Sequence, residues 1–203
     1  MNKPSTLPSQ KDKTGDKSIL DLAEIYAKKK LQLLHRLDRP VSGIILLSKE
    51  KNFTQHFTSL QESGKVKKTY FAICAKEDIP ESGKWVDHIV KDPRTKKAYI
   101  GKTKESKEVT LEYEVVQELD NYLLLKIVLM SGKFHQIRAQ LANKKLFIKG
   151  DVKYGARRSN KDRGIHLHAY SVEIPASGNY EKISLKVKPP KGDTLWDLAF
   201  ESL

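Results

Sequence analysis

Apolar residues recur along the chain with two different spacings, one helical and one extended. Residues 18–27 carry apolar side chains at helical spacing, namely Ile19, Leu22, Ala23 and Tyr26. Asp16 or Ser18 is placed to cap this helix. The same spacing predicts a second helix over residues 51–63, stopped at Gly64, and a third over residues 134–142.

Short runs of apolar or alternating residues predict strands between these helices. Residues 44–47 are fully apolar, which is typical of a buried central strand, and residues 122–130 are too apolar for a sheet with one wet face. Further strands are predicted over residues 67–74, 109–116, 165–174 and 183–187. The polar, lysine-rich stretch 76–108 is expected to form a hairpin-like excursion at the surface. Strands and helices do not alternate regularly, so the pattern favours an α+β fold over a doubly wound parallel one.

Composition narrows the class of protein. The 203 residues fit one large domain or two small ones, and a chain of this length can bury a substantial core. The single cysteine, Cys74, excludes a disulfide framework and a cysteine-based zinc site within one chain, and its apolar surroundings indicate a buried thiol. No apolar run reaches the roughly 18 residues of a membrane span, so we expect a cytoplasmic protein with no membrane contact.

The charge balance points to a polyanionic partner. Lys and Arg number 38 against 25 Asp and Glu, which gives a net charge of +13. Such an excess favours nucleic acid, because each phosphate contact releases counterions. Lysine-rich surfaces also serve solubility, and charge alone does not separate RNA from DNA.

One segment concentrates charge where a buried strand is about to begin. Residues 35–43 read His-Arg-Leu-Asp-Arg-Pro-Val-Ser-Gly, so that Asp38 stands among His35, Arg36 and Arg39. Opposite charges nearby favour the ionised carboxylate, a setting that is frequent at catalytic centres. An ordinary ion pair in a solvated turn would have the same residues, and this segment alone does not separate the two readings.

Other segments add candidate partners for Asp38. Residues 131–138 read Ser-Gly-Lys-Phe-His-Gln-Ile-Arg, where a glycine turn enters the predicted third helix with His135 and Arg138 on adjacent faces. Residues 150–155 read Gly-Asp-Val-Lys-Tyr-Gly, a tight loop in which we expect Asp151 to stabilise the turn rather than act as a second catalytic acid.

These segments, together with Lys68-Thr69-Tyr70-Phe71-Ala72, resemble the RluA family of pseudouridine synthases. The family pattern is H-R-L-D-x-x-[TV]-S-G, then K-x-Y-x-A, G-[RK]-x-H-Q-I-R and G-D-x-x-Y-G, and all four occur here in order. The resemblance itself reaches from Asn2-Lys3-Pro4 to Leu167-His168-Ala169 and Ile174-Pro175. The resemblance implies one catalytic domain over residues 1–203, with a mixed, mostly antiparallel sheet flanked by helices and a cleft across it. Residues 1–18 would be an extended N-terminal segment, with no separate N-terminal RNA-binding module.

The resemblance also implies roles for individual residues. Asp38 matches the essential aspartate, Tyr70 the active-site tyrosine, and Arg138 the basic partner of the aspartate. Arg36 matches an arginine that can fill the place of a base flipped out of the RNA. The expected RNA-contacting residues are His35, Arg36, Arg39, Lys133, His135 and Gln136.

The implied reaction breaks the N1–C1′ bond of uridine, rotates the base and joins it through C5, so that no metal and no cofactor is expected. One carboxylate can attack the ribosyl carbon or abstract a sugar proton, and the sequence leaves both routes open. One acid among cations favours rearrangement over hydrolysis, for which two carboxylates are usual.

The expected partner is structured RNA, ribosomal or transfer, bound by a monomer. The alternative is a catalytically silent RNA-binding protein with the same fold.

Overall fold

A computed structural model of the chain describes residues 1–130 and 132–201; Ser131, the first residue of the segment 131–138, lies outside the described residues, as do Ser202 and Leu203. The helices are α1 (Ile19–Ala27), α2 (Lys51–Glu62), α3 (Gln136–Asn143) and α4 (Thr194–Phe200), and a single 3₁₀ turn spans Val152–Tyr154. Among the described residues, no helix has both the length and the apolar character that a membrane crossing requires.

The strands are β1 (Asn2–Lys3), β2 (Gln32–Leu33), β3 (Ser42–Ile44), β4 (Leu47–Ser48), β5 (Lys67–Ala75), β6 (Ser82–Asp92), β7 (Lys97–Ile100), β8 (Lys107–Glu118), β9 (Tyr122–Leu129), β10 (Leu167–Ile174) and β11 (Ile183–Lys186). The main sheet has the order β1-β3-β10-β5-β9-β8-β6-β7, with β11 on β10, while β2 pairs with β4. In this sheet β3 and β10 run parallel and the other pairs are antiparallel. The α+β prediction is confirmed, and β9 lies at the centre between β5 and β8, as its apolar sequence predicts.

The stretch 76–108 forms the hairpin of β6 and β7, and β6 continues the main sheet through eight residue pairs with β8. The packing of α3 against both β6 and β7 places this hairpin beside the helix that carries Arg138.

The apolar run at residues 44–47 was wrongly predicted as a central strand. The strand is β3, one place from the sheet edge, and Ile45 and Leu46 connect it to β4 while remaining buried. Burial of an irregular connection gives the same apolar run as a central strand, so periodicity does not separate them. Gly43 is required here because its φ is +114° and an added Cβ would lie 2.3 Å from the Ala169 carbonyl oxygen on β10.

The helix boundaries also differ in part from the prediction. Ser18, one of the two expected caps, closes a capping box with Asp21 at the start of α1. The third helix begins at Gln136, so His135 lies in the turn before it with φ +54° rather than on a helical face. Helix α4 was not predicted; Asp193 caps it and Trp196 is buried against the sheet.

Candidate active site

A cleft of about 940 Å³ opens across the sheet, and the predicted site residues converge on it. Its floor and walls come from the loop that carries Asp38, from the start of α3, from the loop at residues 150–153 and from Tyr70 on β5. The site therefore collects segments that are far apart in sequence, as the ordered motifs predicted.

Arg138 is the centre of a buried ion-pair cluster. Its Nη1 donates to Asp38 Oδ2 at 2.9 Å, while Nε and Nη2 donate to the two carboxylate oxygens of Asp151 at 2.7 and 2.8 Å. The Arg138 side chain is 4% exposed and that of Asp151 1%, whereas Asp38 is 25% exposed and faces the cleft. Burial opposes the charge on the guanidinium, but the bonds to Asp151 and Asp38 together raise the pKa of Arg138.

Asp151 has a different role from the one expected. We predicted that its carboxylate would bond its own turn, but both oxygens accept from Arg138, and the backbone carbonyl holds the turn by accepting from Tyr154 and Ala156. A planar guanidinium bound by both donors of its fork cannot rotate. Asp151 thus orients the one nitrogen of Arg138 that reaches Asp38.

His135 also lies beside the Asp38 oxygen that Arg138 binds. Its Nε2 lies 3.4 Å from Asp38 Oδ2, and its Nδ1 lies 2.8 Å from the Tyr154 hydroxyl oxygen. Burial lowers the pKa of His135 to about 4 despite the nearby Asp38. The imidazole is therefore neutral at physiological pH.

Tyr70 supplies the aromatic surface of the cleft. It lies on β5, between Ala169 of β10 and Ile127 of β9, and it is 8% exposed. Burial, and after it the charge of Asp38, raises the pKa of Tyr70. Its hydroxyl keeps its proton and makes no hydrogen bond to the described residues, so the group that faces the cleft is a neutral phenol.

The loop around Asp38 is held by the N-terminal segment. Ser9 Oγ donates to the Leu37 carbonyl oxygen at 2.6 Å and accepts from the Leu37 amide at 3.0 Å. The fully buried Lys3 donates from Nζ to the carbonyl oxygens of Pro4, Leu7 and Arg39. Burial lowers the pKa of Lys3 to about 8, against the favourable charge of Asp38. These bonds fix the backbone on both sides of Asp38.

Cationic side chains form the mouth of the cleft. Arg36 is exposed there, and Arg39 pairs with Asp12 and Asp16. Lys133 also lines the cleft, as do Lys68 and Lys153. A phosphodiester backbone entering the cleft would therefore meet positive charge on several sides.

Three of the expected RNA-contacting residues, His35, His135 and Gln136, also make bonds within the protein. His35 Nε2 accepts from the Leu46 amide, and burial together with Lys68 lowers the pKa of His35 to about 3. Gln136 is buried, donating to the Thr110 carbonyl oxygen and accepting from the Lys133 amide. His35 and Gln136 line the cleft as well, so their contact with RNA stays a prediction.

Comparison with known proteins identifies the family of this chain. Residues 1–143 match the family model described as RNA pseudouridylate synthase. The chain belongs to this family. It is accordingly an RNA pseudouridine synthase, an isomerase that acts on uridine in RNA.

Individual relatives support the family and the fold. The synthase is 27% identical over 208 residues to an uncharacterized RNA pseudouridine synthase of Zymomonas mobilis, covering 98% of this chain and 92% of that one. It is 32% identical over 143 residues to another from Helicobacter pylori, with 70% and 58% covered. The ribosomal large subunit pseudouridine synthase C of Buchnera aphidicola is 27% identical over 171 residues, which span 77% of this chain and 52% of the relative.

Solved structures share the fold described above. Human RNA pseudouridylate synthase domain containing 4 superposes with a TM-score of 0.80 at 23% identity, covering 98% of this chain and 88% of that one. Human RNA pseudouridylate synthase domain containing 1 gives a TM-score of 0.79 at 18% identity, with 98% and 82% covered. The fold of the synthase is therefore shared with proteins of very different sequence.

Several residues of the synthase site were not assigned from the sequence. The sequence predicts no separate role for Tyr154 within the segment 150–155, although its ring packs over the Arg138 guanidinium at 4.8 Å. Lys3 and Ser9 belong to a segment expected to be merely extended. The motif Asn2-Lys3-Pro4 could have pointed to Lys3, whereas no sequence signal marks Ser9.

Proposed function

We propose that this synthase converts uridine in structured RNA to pseudouridine with Asp38 as the carboxylate that acts on the ribose. The observation that supports this most is the Asp38–Arg138–Asp151 cluster, in which a carboxylate facing the cleft is held by a buried arginine that is itself fixed by a second carboxylate. A fixed carboxylate needs little reorganisation to meet a sugar carbon or proton.

The reaction needs only this one carboxylate to start. The N1–C1′ bond breaks and the C5–C1′ bond forms, while the proton lost from C5 is balanced by the proton gained at N1. Neither an electron nor a water molecule is consumed. Asp38 can attack C1′ or remove the C2′ proton, and both routes require a carboxylate oxygen without a proton.

The base must leave its RNA stack to reach Asp38. The floor of the cleft offers the ring of Tyr70 as a surface for the flipped uracil, and the hydroxyl of this residue is free to exchange a hydrogen bond with it. The exposed Arg36 stands at the mouth, where a planar cation can stack in the gap that the base leaves. Arg39 and Lys133 are the proposed phosphate contacts beside it.

Ribosomal RNA is the first substrate to test. The name of the Buchnera relative assigns that protein to the ribosomal large subunit, and the cationic mouth of the cleft suits any folded RNA. Transfer RNA is the second candidate, because sequence-specific recognition of RNA relies on loops and bulges that both classes contain.

The test uses transcripts of large-subunit ribosomal RNA and of transfer RNA that carry tritium at C5 of uridine. Because C5 loses its hydrogen when it bonds to C1′, release of tritium to water measures turnover. We expect the wild type to release tritium from at least one transcript, and Asp38→Asn to release none while binding the same RNA in a gel-shift assay. Asp120→Asn, an exposed change in the turn between β8 and β9, is the matched control and should behave as the wild type.

Turnover near wild type in Asp38→Asn would remove Asp38 from the mechanism. Binding by the wild type without tritium release from total cellular RNA, taken from cells that lack the gene, would favour the catalytically silent RNA-binding protein.

A further inference from the structure

His135 and Tyr154 form a chain of contacts that ends at the proposed catalytic carboxylate. The amide of Ala98 on β7 donates to the Tyr154 hydroxyl oxygen at 2.7 Å, and this oxygen lies 2.8 Å from His135 Nδ1. On the other side of the ring, Nε2 lies 3.4 Å from Asp38 Oδ2, longer than a normal hydrogen bond. The chain thus connects the backbone of β7 to Asp38 through two side chains.

These contacts favour one arrangement of the hydrogens on Tyr154 and His135. Burial raises the pKa of Tyr154 to about 12, so its hydroxyl keeps its proton. Its oxygen already accepts from Ala98, which leaves this proton for His135 Nδ1. A neutral imidazole carries one N–H, and an accepting Nδ1 puts that N–H at Nε2. The opposite tautomer would direct the Nε2 lone pair at the Asp38 carboxylate.

The carboxylate of Asp38 is held on one oxygen only. Oδ2 receives Nη1 of Arg138 and faces Nε2 of His135, whereas Oδ1 makes no hydrogen bond within the described part of the chain. Donors on an oxygen reduce its basicity, so the oxygen without donors is the better nucleophile or base.

We propose that Tyr154 and His135 are positioning residues: Tyr154 fixes the Nε2–H tautomer of His135, and His135 with Arg138 holds Oδ2 of Asp38 so that Oδ1 meets the ribose. The inference rests on the function proposed above for Asp38. It adds an assignment of the two carboxylate oxygens and of the proton on His135.

The conformation of His135 supports a positional role. Its φ of +54° is left-handed, a strained conformation that is uncommon for residues with a Cβ. Its ring stacks on Phe134 with centroids 3.9 Å apart. The strained backbone and this stacking together direct the edge of the ring at Asp38.

The tautomer is measured without any reaction. In protein labelled with ¹⁵N at histidine, two-bond proton–nitrogen spectra at pH 7 distinguish the two neutral tautomers and the cation, and loss of one signal set in His135→Gln assigns the residue. We expect a protonated Nε2 and an unprotonated Nδ1 in the wild type. In Tyr154→Phe, which removes the hydroxyl but keeps the ring over Arg138, we expect this preference to weaken. A protonated Nδ1 in the wild type would overturn the proposal.

Activity tests the positional role with a matched pair of variants. His135→Gln keeps an N–H donor near the position of Nε2, whereas His135→Met has similar length and no donor. We expect kcat to fall about 10- to 100-fold in His135→Met, with the KM for RNA within about twofold, and to recover partly in His135→Gln. Tyr154→Phe should lower kcat by roughly 10-fold in the same way.

Equal losses in the Gln and Met variants, or a change in KM with kcat intact, would contradict the positional role. The unfolding midpoint of each variant separates these outcomes from a general loss of structure. Failure of the proposed function itself is distinguishable, because the tautomer measurement is independent of turnover and Asp38→Asn tests the carboxylate directly.

Discussion

Two clusters in this molecule contain the same groups, one arginine and two aspartates, in opposite surroundings. Arg138 joins Asp38 and Asp151 inside the cleft, and its side chain is 4% exposed. Arg39 joins Asp12 and Asp16 at the mouth, where the three side chains are 36%, 39% and 58% exposed. We call them the inner cluster and the rim cluster. Comparing the two clusters shows how much of their stabilisation comes from the charges themselves and how much depends on burial.

The two clusters are assembled in different ways. In the rim cluster, Thr14 bonds both aspartates in a local turn, and Arg39 joins them from 23 positions beyond Asp16. The bonds of Thr14 lower the pKa of Asp12, and the bonds of Arg39 and then of Thr14 lower the pKa of Asp16. In the inner cluster, Asp38 and Arg138 are 100 positions apart, and Arg138 is 13 positions from Asp151. The turn that holds the rim aspartates can form without the rest of the fold, although Arg39 joins it only from the loop before β3. No two members of the inner cluster lie within one turn, so that cluster exists only when this loop, α3 and the 150–155 loop are packed together.

The largest expected effect comes from removing each arginine in turn. Arg138→Met would leave Asp151 buried without a partner, and we expect the free energy of unfolding to fall by about 3–5 kcal/mol. Arg39→Met leaves solvated carboxylates, and we expect a loss below about 1 kcal/mol. Urea unfolding at pH 7 measures both. Similar losses of stability in the two variants would show that burying an ion-pair cluster does not make the protein more sensitive to removal of its arginine.

Sequence reasoning found the members of the inner cluster but not its geometry. Asp38 and Arg138 were paired because ordered motifs resemble a known family, since no spacing rule joins residues so far apart. That Asp151 binds Arg138 rather than its own turn depends on the distance between the 150–155 loop and α3, which only the packed fold sets. The left-handed turn at His135 likewise has no residue signal, because glycine or asparagine would normally mark it.

The fold shows the same division between local and packed features. The cap of α1 was among the predicted alternatives because Ser18 and Asp21 act within one turn. Helix α4 was missed because seven residues are too few for a stable isolated helix, and this one depends on burying Trp196 against the sheet. The run at 44–47 was assigned wrongly because burial, not strand pairing, determines its apolar character.

As the pH falls, the stability contributed by His135, which lies beside the inner cluster, should be lost before that of the rim cluster. Burial lowers the pKa of His135 to about 4, below its usual value of about 6.5, so the unfolded chain binds more protons between these values. The stability that neutral His135 provides is therefore complete above about pH 6.5 and is lost as the pH falls to about 4. For this residue alone we expect a loss of about 2 kcal/mol between pH 7 and pH 5. Urea unfolding at both values, compared with His135→Gln, isolates this share.

The aspartates of the rim lose their contribution in a lower pH window. Their lowered pKa values mean that the unfolded chain takes up protons first near pH 4, so their contribution is present above that value and is lost only below it. A wild type that loses no more stability than His135→Gln between pH 7 and pH 5 would contradict the assignment of a neutral, buried His135.

The smallest expected effect concerns the rim itself. Asp16→Asn should leave the free energy of unfolding close to that of the wild type, since the pair is exposed. The same change removes one of the two carboxylates that pair with Arg39 and one negative charge at the mouth of the cleft, so RNA should bind about two- to fivefold more tightly at low salt. Fluorescence anisotropy with a labelled transcript, carried out in the Asp38→Asn background to prevent turnover, measures the dissociation constant. The gain should shrink as salt rises, because exposed charges are screened within about 10 Å at 0.1 M. Weaker binding in Asp16→Asn would mean that the rim aspartates orient Arg39 for RNA instead of competing with RNA for it. The rim aspartates would then act on Arg39 as Asp151 acts on Arg138 in the inner cluster.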